Sequence, residues 1–186
     1  VPGYFNYGNV YNDVIAFTPM NTQEKFVEIG VWKGQSVCYA AVEIINSGKN
    51  ITLDAVDTWR GSPGEPIIMN DESLINGTLY KEFILNIVPV RKIVTPVRKR
   101  SVDAAKLYAD NSLFFVFIDG SHLYEAVKED ILAWLPKVKH GGFIGGHDID
   151  QPEPFNGVRK AVNELIGEKN IILYNPGWLS WLHRKN

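Results

Sequence analysis

The chain predicts an α/β fold: a mostly parallel sheet of about seven strands, with helices on both faces and an antiparallel strand at the C-terminal end. Short apolar runs alternate with stretches whose apolar residues recur at helical spacing, the pattern of successive βαβ units. The last two apolar runs are joined by only Asn175-Pro176-Gly177, too few residues for a helical crossover, so they should form an antiparallel hairpin. No internal repeat, low-complexity tract or long linker divides the 186 residues, which predicts a single domain over 22–186 behind an N-terminal arm over 1–21.

Residues 1–20, rich in Tyr, Asn and Phe, read as an irregular lid or packing arm. The first strand is Phe26-Val27-Glu28-Ile29, and the run 35–45 that follows carries apolar residues on one helical face. A strand at 51–56 precedes Trp59-Arg60-Gly61-Ser62-Pro63-Gly64-Glu65-Pro66, whose glycines and prolines suggest a substrate loop. A helix over 71–86, a weaker strand over 91–97 and a helix over 101–108 come next. The strand at 113–118, the helix at 122–135, the strand at 142–146 and the helix at 157–166 complete the repeating pattern. The closing hairpin pairs 171–174 with 178–182.

Composition narrows the function classes. With 45% hydrophobic and 22% charged residues the chain can bury a full core without disulfides or a structural metal. Its 19 Lys+Arg against 21 Asp+Glu give a net charge of −2, which supplies no field for nucleic acid or anionic lipid. The single cysteine, Cys38, forms no internal disulfide and reads as a small buried hydrophobe. No apolar run approaches the ~20 residues of a membrane span, and the opening residues lack the order of a signal peptide. A cytoplasmic protein with no membrane partner is the expectation. Arg91, Lys92, Arg98, Lys99 and Arg100 form a basic cluster without interleaved aromatics, read as solvated strand ends rather than an RNA contact. Trp134, at helical spacing with Ile131 and Leu135, reads as core.

Open parallel sheets bind ligands beyond the carboxyl ends of their strands, so the residues after each strand carry the chemistry. The first turn, Gly30-Val31-Trp32-Lys33-Gly34-Gln35-Ser36, has two glycines four apart instead of the three of a dinucleotide turn. Glu28, two residues before it, disfavours a pyrophosphate and suits a ligand with ammonium or sulfonium charge. Asp57, in Val56-Asp57-Thr58-Trp59, stands where an acid accepts hydrogen bonds from ribose hydroxyls. Ile118-Asp119-Gly120-Ser121-His122 and Gly145-Gly146-His147-Asp148 follow two strands expected to be neighbours. Two carboxylates and two imidazoles should therefore converge at one sheet edge, able to bind a divalent cation or to supply a general base near neutral pH.

These segments together, from about Phe26 onward, resemble the class I S-adenosylmethionine-dependent methyltransferases. Within that class, residues 118–148 look like the small O-methyltransferases of the macrocin and mycinose type and the sugar O-methyltransferases often labelled cephalosporin hydroxylases. The resemblance implies a Rossmann-like sheet, S-adenosylmethionine as cofactor, and O-methylation of a small acceptor, a sugar or glycosylated metabolite. It implies a cofactor site of Glu28, Gly30, Trp32, Lys33, Gly34, Ser36, Asp57, Thr58, Trp59, Ser101, Asp119, Gly120 and His122, with Ser101 beside the adenine. Asp119 and His122 match catalytic positions, His122 as the base, and Asp119 and Asp148 match magnesium ligands. His147 departs from the acid usual in those enzymes, which points to a metal-free site or a softer ion held by Asp119, His147 and Asp148. Two further readings are a nucleotide-binding oxidoreductase of related fold and a catalytically idle adenosine-binding domain. The chain's small size permits a homodimer.

Overall fold

A computed structural model describes the chain apart from residues 4, 63–64, 153–155 and 175–179, and apart from the side chains of residues 66 and 67. Its elements are α1 (Gly8–Phe17), β1 (Glu24–Ile29), α2 (Gln35–Ser47), β2 (Ile51–Asp57), α3 (Pro66–Met69), α4 (Glu72–Ile75), α5 (Leu79–Asn86) and β3 (Val94–Arg98). They continue as α6 (Ser101–Ala105), β4 (Leu113–Ile118), α7 (Tyr124–Trp134), β5 (Val138–Gly146), α8 (Gly157–Leu165), β6 (Ile172–Tyr174) and β7 (Ser180–Arg184).

The seven strands form one sheet in the order β3-β2-β1-β4-β5-β7-β6. β1 through β5 pair in parallel, while β7 runs antiparallel to both β5 and β6. This is the predicted Rossmann-like architecture; the turn expected at 175–177 lies outside the described residues. β4 sits in the middle, and all six of its residues, Leu-Phe-Phe-Val-Phe-Ile, are buried. A strand covered on both faces reads as such a continuous apolar run.

One buried cluster joins Phe26, Leu53, Phe115 and Phe117 of the sheet to Val37, Ala41 and Ile44 of α2 and Phe83 of α5. On the opposite face Val27, Val116 and Ile144 meet Val127, Ile131 and Trp134 of α7 and Val158, Ala161 and Val162 of α8. Trp134 is core, as its spacing predicts. Cys38 is only half-buried, its Sγ facing the Asn86 carbonyl at 3.6 Å, so it is less enclosed than expected. Arg91, Lys92, Arg98, Lys99 and Arg100 are exposed, with Arg98 over the Tyr80 ring at 4.7 Å. No described helix is long and apolar enough to cross a membrane.

Two expectations are corrected. The N-terminal segment is not irregular: residues 8–17 form α1, whose Val10, Tyr11, Val14 and Ile15 are buried in the same cluster as α2. Tyrosine contributes an apolar body as well as a polar tip, so Tyr11 completes the buried face with Val10, Val14 and Ile15. The helix expected over 71–86 is two helices, α4 and α5. Gly77 breaks it at φ +69°, and the amides of Gly77 and Thr78 turn back to the carbonyls of Leu74 and Ser73 at 3.0 and 2.7 Å.

The strand order reverses between β1 and β4, which follow each other in space but not in sequence. The crevice at the carboxyl ends of these two strands is where such a sheet receives a ligand.

Candidate active site

Gly30 ends β1 in the left-handed region, at φ +82°, and a Cβ there would lie 2.1 Å from the Asp119 carbonyl oxygen. Only glycine permits both the turn and this approach. The Asp119 amide in turn donates to the Ile29 carbonyl at 2.8 Å, locking the ends of β1 and β4 together.

Asp57 knits the neighbouring turn. One of its oxygens accepts from the Val31 and Trp32 amides, both at 3.0 Å, and the other from the Trp59 amide at 2.7 Å. Burial pushes its pKa up against these backbone donors. Trp32 and Trp59 both hold left-handed backbone, at φ 43° and 52°, and the Trp59 indole donates to the Trp32 carbonyl at 2.9 Å. Thr58 accepts from the Arg60 amide at 3.1 Å. Lys33 turns aside to Asp71 at 2.9 Å and Glu82 at 3.4 Å. Ser101 accepts from the Trp134 indole at 2.8 Å and bonds Asp130, whose pKa burial raises to about 6 despite that bond.

Glu28 is fully buried beneath the first turn. It accepts hydrogen bonds from Tyr11 Oη at 2.6 Å and from Ser36 Oγ. Burial pushes its pKa up to about 8, more than those two donors pull it down, with Asp119 adding to the rise.

The fourth and fifth strand ends meet as predicted. Asp148 Oδ2 sits 2.9 Å from His122 Nε2 and 3.0 Å from His147 Nδ1, and Asp119 Oδ1 is 3.8 Å from His147 Nδ1. Asp148 holds a left-handed backbone at φ 59°, a strain that aims its carboxylate between the two rings. Burial works against its charge, but the hydrogen bonds from His122 and His147 outweigh that and hold it far below the usual carboxylate range. Burial likewise opposes charge on His122, yet Asp148, Glu65 and Asp119 raise its pKa to about 9. His147 is raised too, burial being overcome by Asp148 and Asp119. Burial lifts the pKa of Asp119 against the pull of His147.

Asp119, His122 and Asp148 each offer one ligand atom, all within 4.8 Å of one another. That separation suits the coordination sphere of a divalent cation, and a mixed oxygen and nitrogen donor set suits a first-row transition ion better than magnesium. Gly120 lies between, with no close neighbour to a Cβ but Ile29 at 3.7 Å.

Four residues that sequence reasoning did not single out complete the site. Tyr7 donates to Asp119 Oδ2 at 2.6 Å, Asn6 Oδ1 lies 2.9 Å from His147 Nε2, Tyr11 bonds Glu28, and Glu65 Oε1 stands 3.8 Å from His122 Nδ1. For Tyr7 and Tyr11, their spacing with Val14 marks one helical face, without saying which strand end each reaches.

A family model described as a methyltransferase domain matches residues 27–149. Protein y4gI of Sinorhizobium fredii, uncharacterised, is 25% identical over 142 residues, which are 76% of this chain, and the chain spans 15% of that protein's length. The solved structure of the O-methyltransferase NovP superposes with a TM-score of 0.68 at 18% identity, covering 96% of this chain and 79% of that one. The calicheamicin methyltransferase CalS11 superposes with a TM-score of 0.67 at 14% identity, covering 93% and 77%.

Proposed function

The chain belongs to the methyltransferase-domain family, and from that premise we propose that it moves the methyl group of S-adenosylmethionine to a hydroxyl of a small acceptor, a sugar or glycosylated metabolite. The observation that carries the reading is the convergence of Asp119, His122, His147 and Asp148 beside the Gly30 turn, at the point where the strand order reverses. In this reading the Gly30 to Ser36 turn borders the methionine end of the cofactor, while Glu28, expected to face a cationic ligand, has no exposed surface and supports that turn from beneath through Ser36. Asp57, whose Oδ1 accepts from the Trp59 amide, offers that oxygen to a ribose hydroxyl as well. Thr58 and Ser101 flank the nucleoside, Trp59 is buried against Tyr80 and Phe83 and supports the turn from behind instead, and Gly120 leaves room at the end of β4.

The transfer forms an oxygen–carbon bond as the sulfonium–carbon bond breaks, and the electron pair of that bond passes to sulfur. Its main demands are in-line alignment and removal of the hydroxyl proton. His122 is the proposed base, 31% exposed at its side chain and so open to an acceptor. Its ion pair with Asp148, and the rise to about 9, keep it protonated at neutral pH, so turnover should climb with pH toward about 9. A divalent ion held by Asp119, His122 and Asp148 would lower the pKa of a bound hydroxyl in place of the base, because a coordinated His122 has no lone pair left to accept the proton.

Calorimetric titration with S-adenosylhomocysteine, with NAD as the control, tests the cofactor class. One-to-one binding of the former alone is expected, followed by labelled methyl transfer in a screen of sugars and phenols with magnesium, with manganese and with chelator. His122→Ala should retain the cofactor affinity and lose roughly 10²-fold or more in kcat. Full turnover in that variant would remove His122 as the base, and binding of NAD alone would end the methyltransferase reading.

A further inference from the structure

We infer that Tyr7 is a positioning residue of this site: its hydroxyl pins one oxygen of Asp119 and thereby turns the other toward His147. The inference rests on the reading above of the cluster as the reaction centre. Tyr7 caps the N-terminus of α1, 112 residues away in sequence from Asp119, and its Oη donates to Oδ2 at 2.6 Å. Among the described residues this is the only hydrogen bond to the Asp119 carboxylate, whose Oδ1 lies 3.8 Å from His147 Nδ1. A hydrogen bond at one oxygen narrows rotation of a carboxylate about its terminal bond, which is otherwise broad.

The tyrosine is itself held. Its ring stacks on Phe117 at 4.8 Å and 28°, meets the edge of Phe5 at 4.8 Å, and lies 4.8 Å from the His147 ring. It is 2% exposed, so the hydroxyl is delivered by a side chain with almost no freedom. The preceding residue repeats the arrangement on the other partner, because Asn6 Oδ1 lies 2.9 Å from His147 Nε2 and leaves Nδ1 facing Asp148. One turn further on, Tyr11 holds Glu28 in the same way. The start of α1 thus fixes the orientation of side chains from β1, β4 and the end of β5.

Tyr7→Phe removes the hydroxyl and keeps the ring packed. Two readouts separate positioning from mere structural support. The first is the carboxyl ¹³C resonance of Asp119, assigned by its loss in Asp119→Asn, which requires no acceptor. The second is the division of the effect between kcat and KM. In Tyr7→Phe the resonance should move and kcat should fall roughly 10- to 100-fold, the scale of an ångström of misplacement. Acceptor KM and the affinity for S-adenosylhomocysteine should change less than kcat, since the hydroxyl that is removed bonds Asp119 and is not itself proposed to contact either ligand. An unmoved resonance, or a kcat within about twofold of the unmodified protein, overturns the assignment. If Tyr7→Phe fails to fold, the hydrogen–deuterium isotope shift on the same resonance in the unmodified protein reads the bond, and its absence overturns the assignment equally. An unmodified protein that binds no S-adenosylhomocysteine and methylates nothing defeats the proposed function instead, while the resonance still decides whether Tyr7 holds Asp119.

Discussion

Glu28 is a carboxyl with no exposed surface and two hydroxyl donors, so the cost of burying its charge sets its proton. In the unfolded chain it ionises near 4.3, and in the folded chain at about 8. The folded state therefore binds the proton more tightly, and the stability this carries is complete below about pH 4 and is lost progressively as pH rises to about 8. Glu28→Gln, which keeps an oxygen acceptor but cannot ionise, should flatten that decline. Its melting temperature should match the unmodified protein near pH 4 and exceed it near pH 8.5, where the charge costs up to about 1.4 kcal/mol per pH unit crossed. Parallel melting curves from pH 4 to 9 check this; equal slopes would mean that Glu28 ionises without penalty. At this scale the sequence was informative where strand ends define positions. Asp119, His122, His147 and Asp148 follow two adjacent apolar runs, so their meeting could be read from the order of the elements. Tyr7, Asn6 and Glu65 could not be placed, because nothing near them in sequence specifies which strand end they reach.

Among the elements, the turn after β1 carries the tightest constraint. Gly30 is left-handed and its missing Cβ would meet the Asp119 backbone at 2.1 Å, whereas Gly48, at the end of α2, is left-handed with nothing within 4 Å. The two glycines separate dihedral strain from close approach. Gly48→Ala should cost about 1–2 kcal/mol, the penalty of the left-handed region alone. Gly30→Ala adds a backbone collision in a packed region and should cost about 2–6 kcal/mol, while forcing β1 and β4 apart where the ligand is proposed to bind. Denaturant unfolding of both variants measures the difference, and equal losses would show that the contact between the β1 turn and Asp119 relaxes freely. The helix and strand pattern was legible for β1, β2, β4, α2, α7 and α8, which bury an unbroken apolar run or a clear helical face. It failed at α1, whose buried face is built partly from tyrosines, and at the break between α4 and α5, where Asn76, Gly77 and Thr78 interrupt an otherwise continuous periodicity.

The whole molecule brings three side-chain networks to one edge of one sheet: Glu28 with Tyr11 and Ser36, Asp57 with the amides of Val31, Trp32 and Trp59, and the Asp119 cluster with Tyr7 and Asn6. Each ties a different strand end to the turn or arm beside it, so a ligand spanning the edge would contact β1, β2 and β4 together. Because α1 and α2 pack in the same buried cluster as those strands, binding there should stabilise the domain as a unit instead of ordering one loop. A ligand that binds only the folded state at 100 times its Kd adds about 2.7 kcal/mol, which for a domain of this size corresponds to a rise of roughly 5–10 °C in melting temperature. S-adenosylhomocysteine should produce such a rise in a single cooperative transition, and NAD at the same concentration should produce none. Asp57→Asn bears on the same point. The amide keeps one oxygen for the Val31 and Trp32 amides but presents N–H groups in place of the oxygen offered to Trp59 and a ribose hydroxyl. That variant should melt lower without ligand and lose most of the ligand-induced rise. An undiminished rise in Asp57→Asn would place the nucleoside away from β2 and leave Asp57 with the purely architectural task of holding the turn.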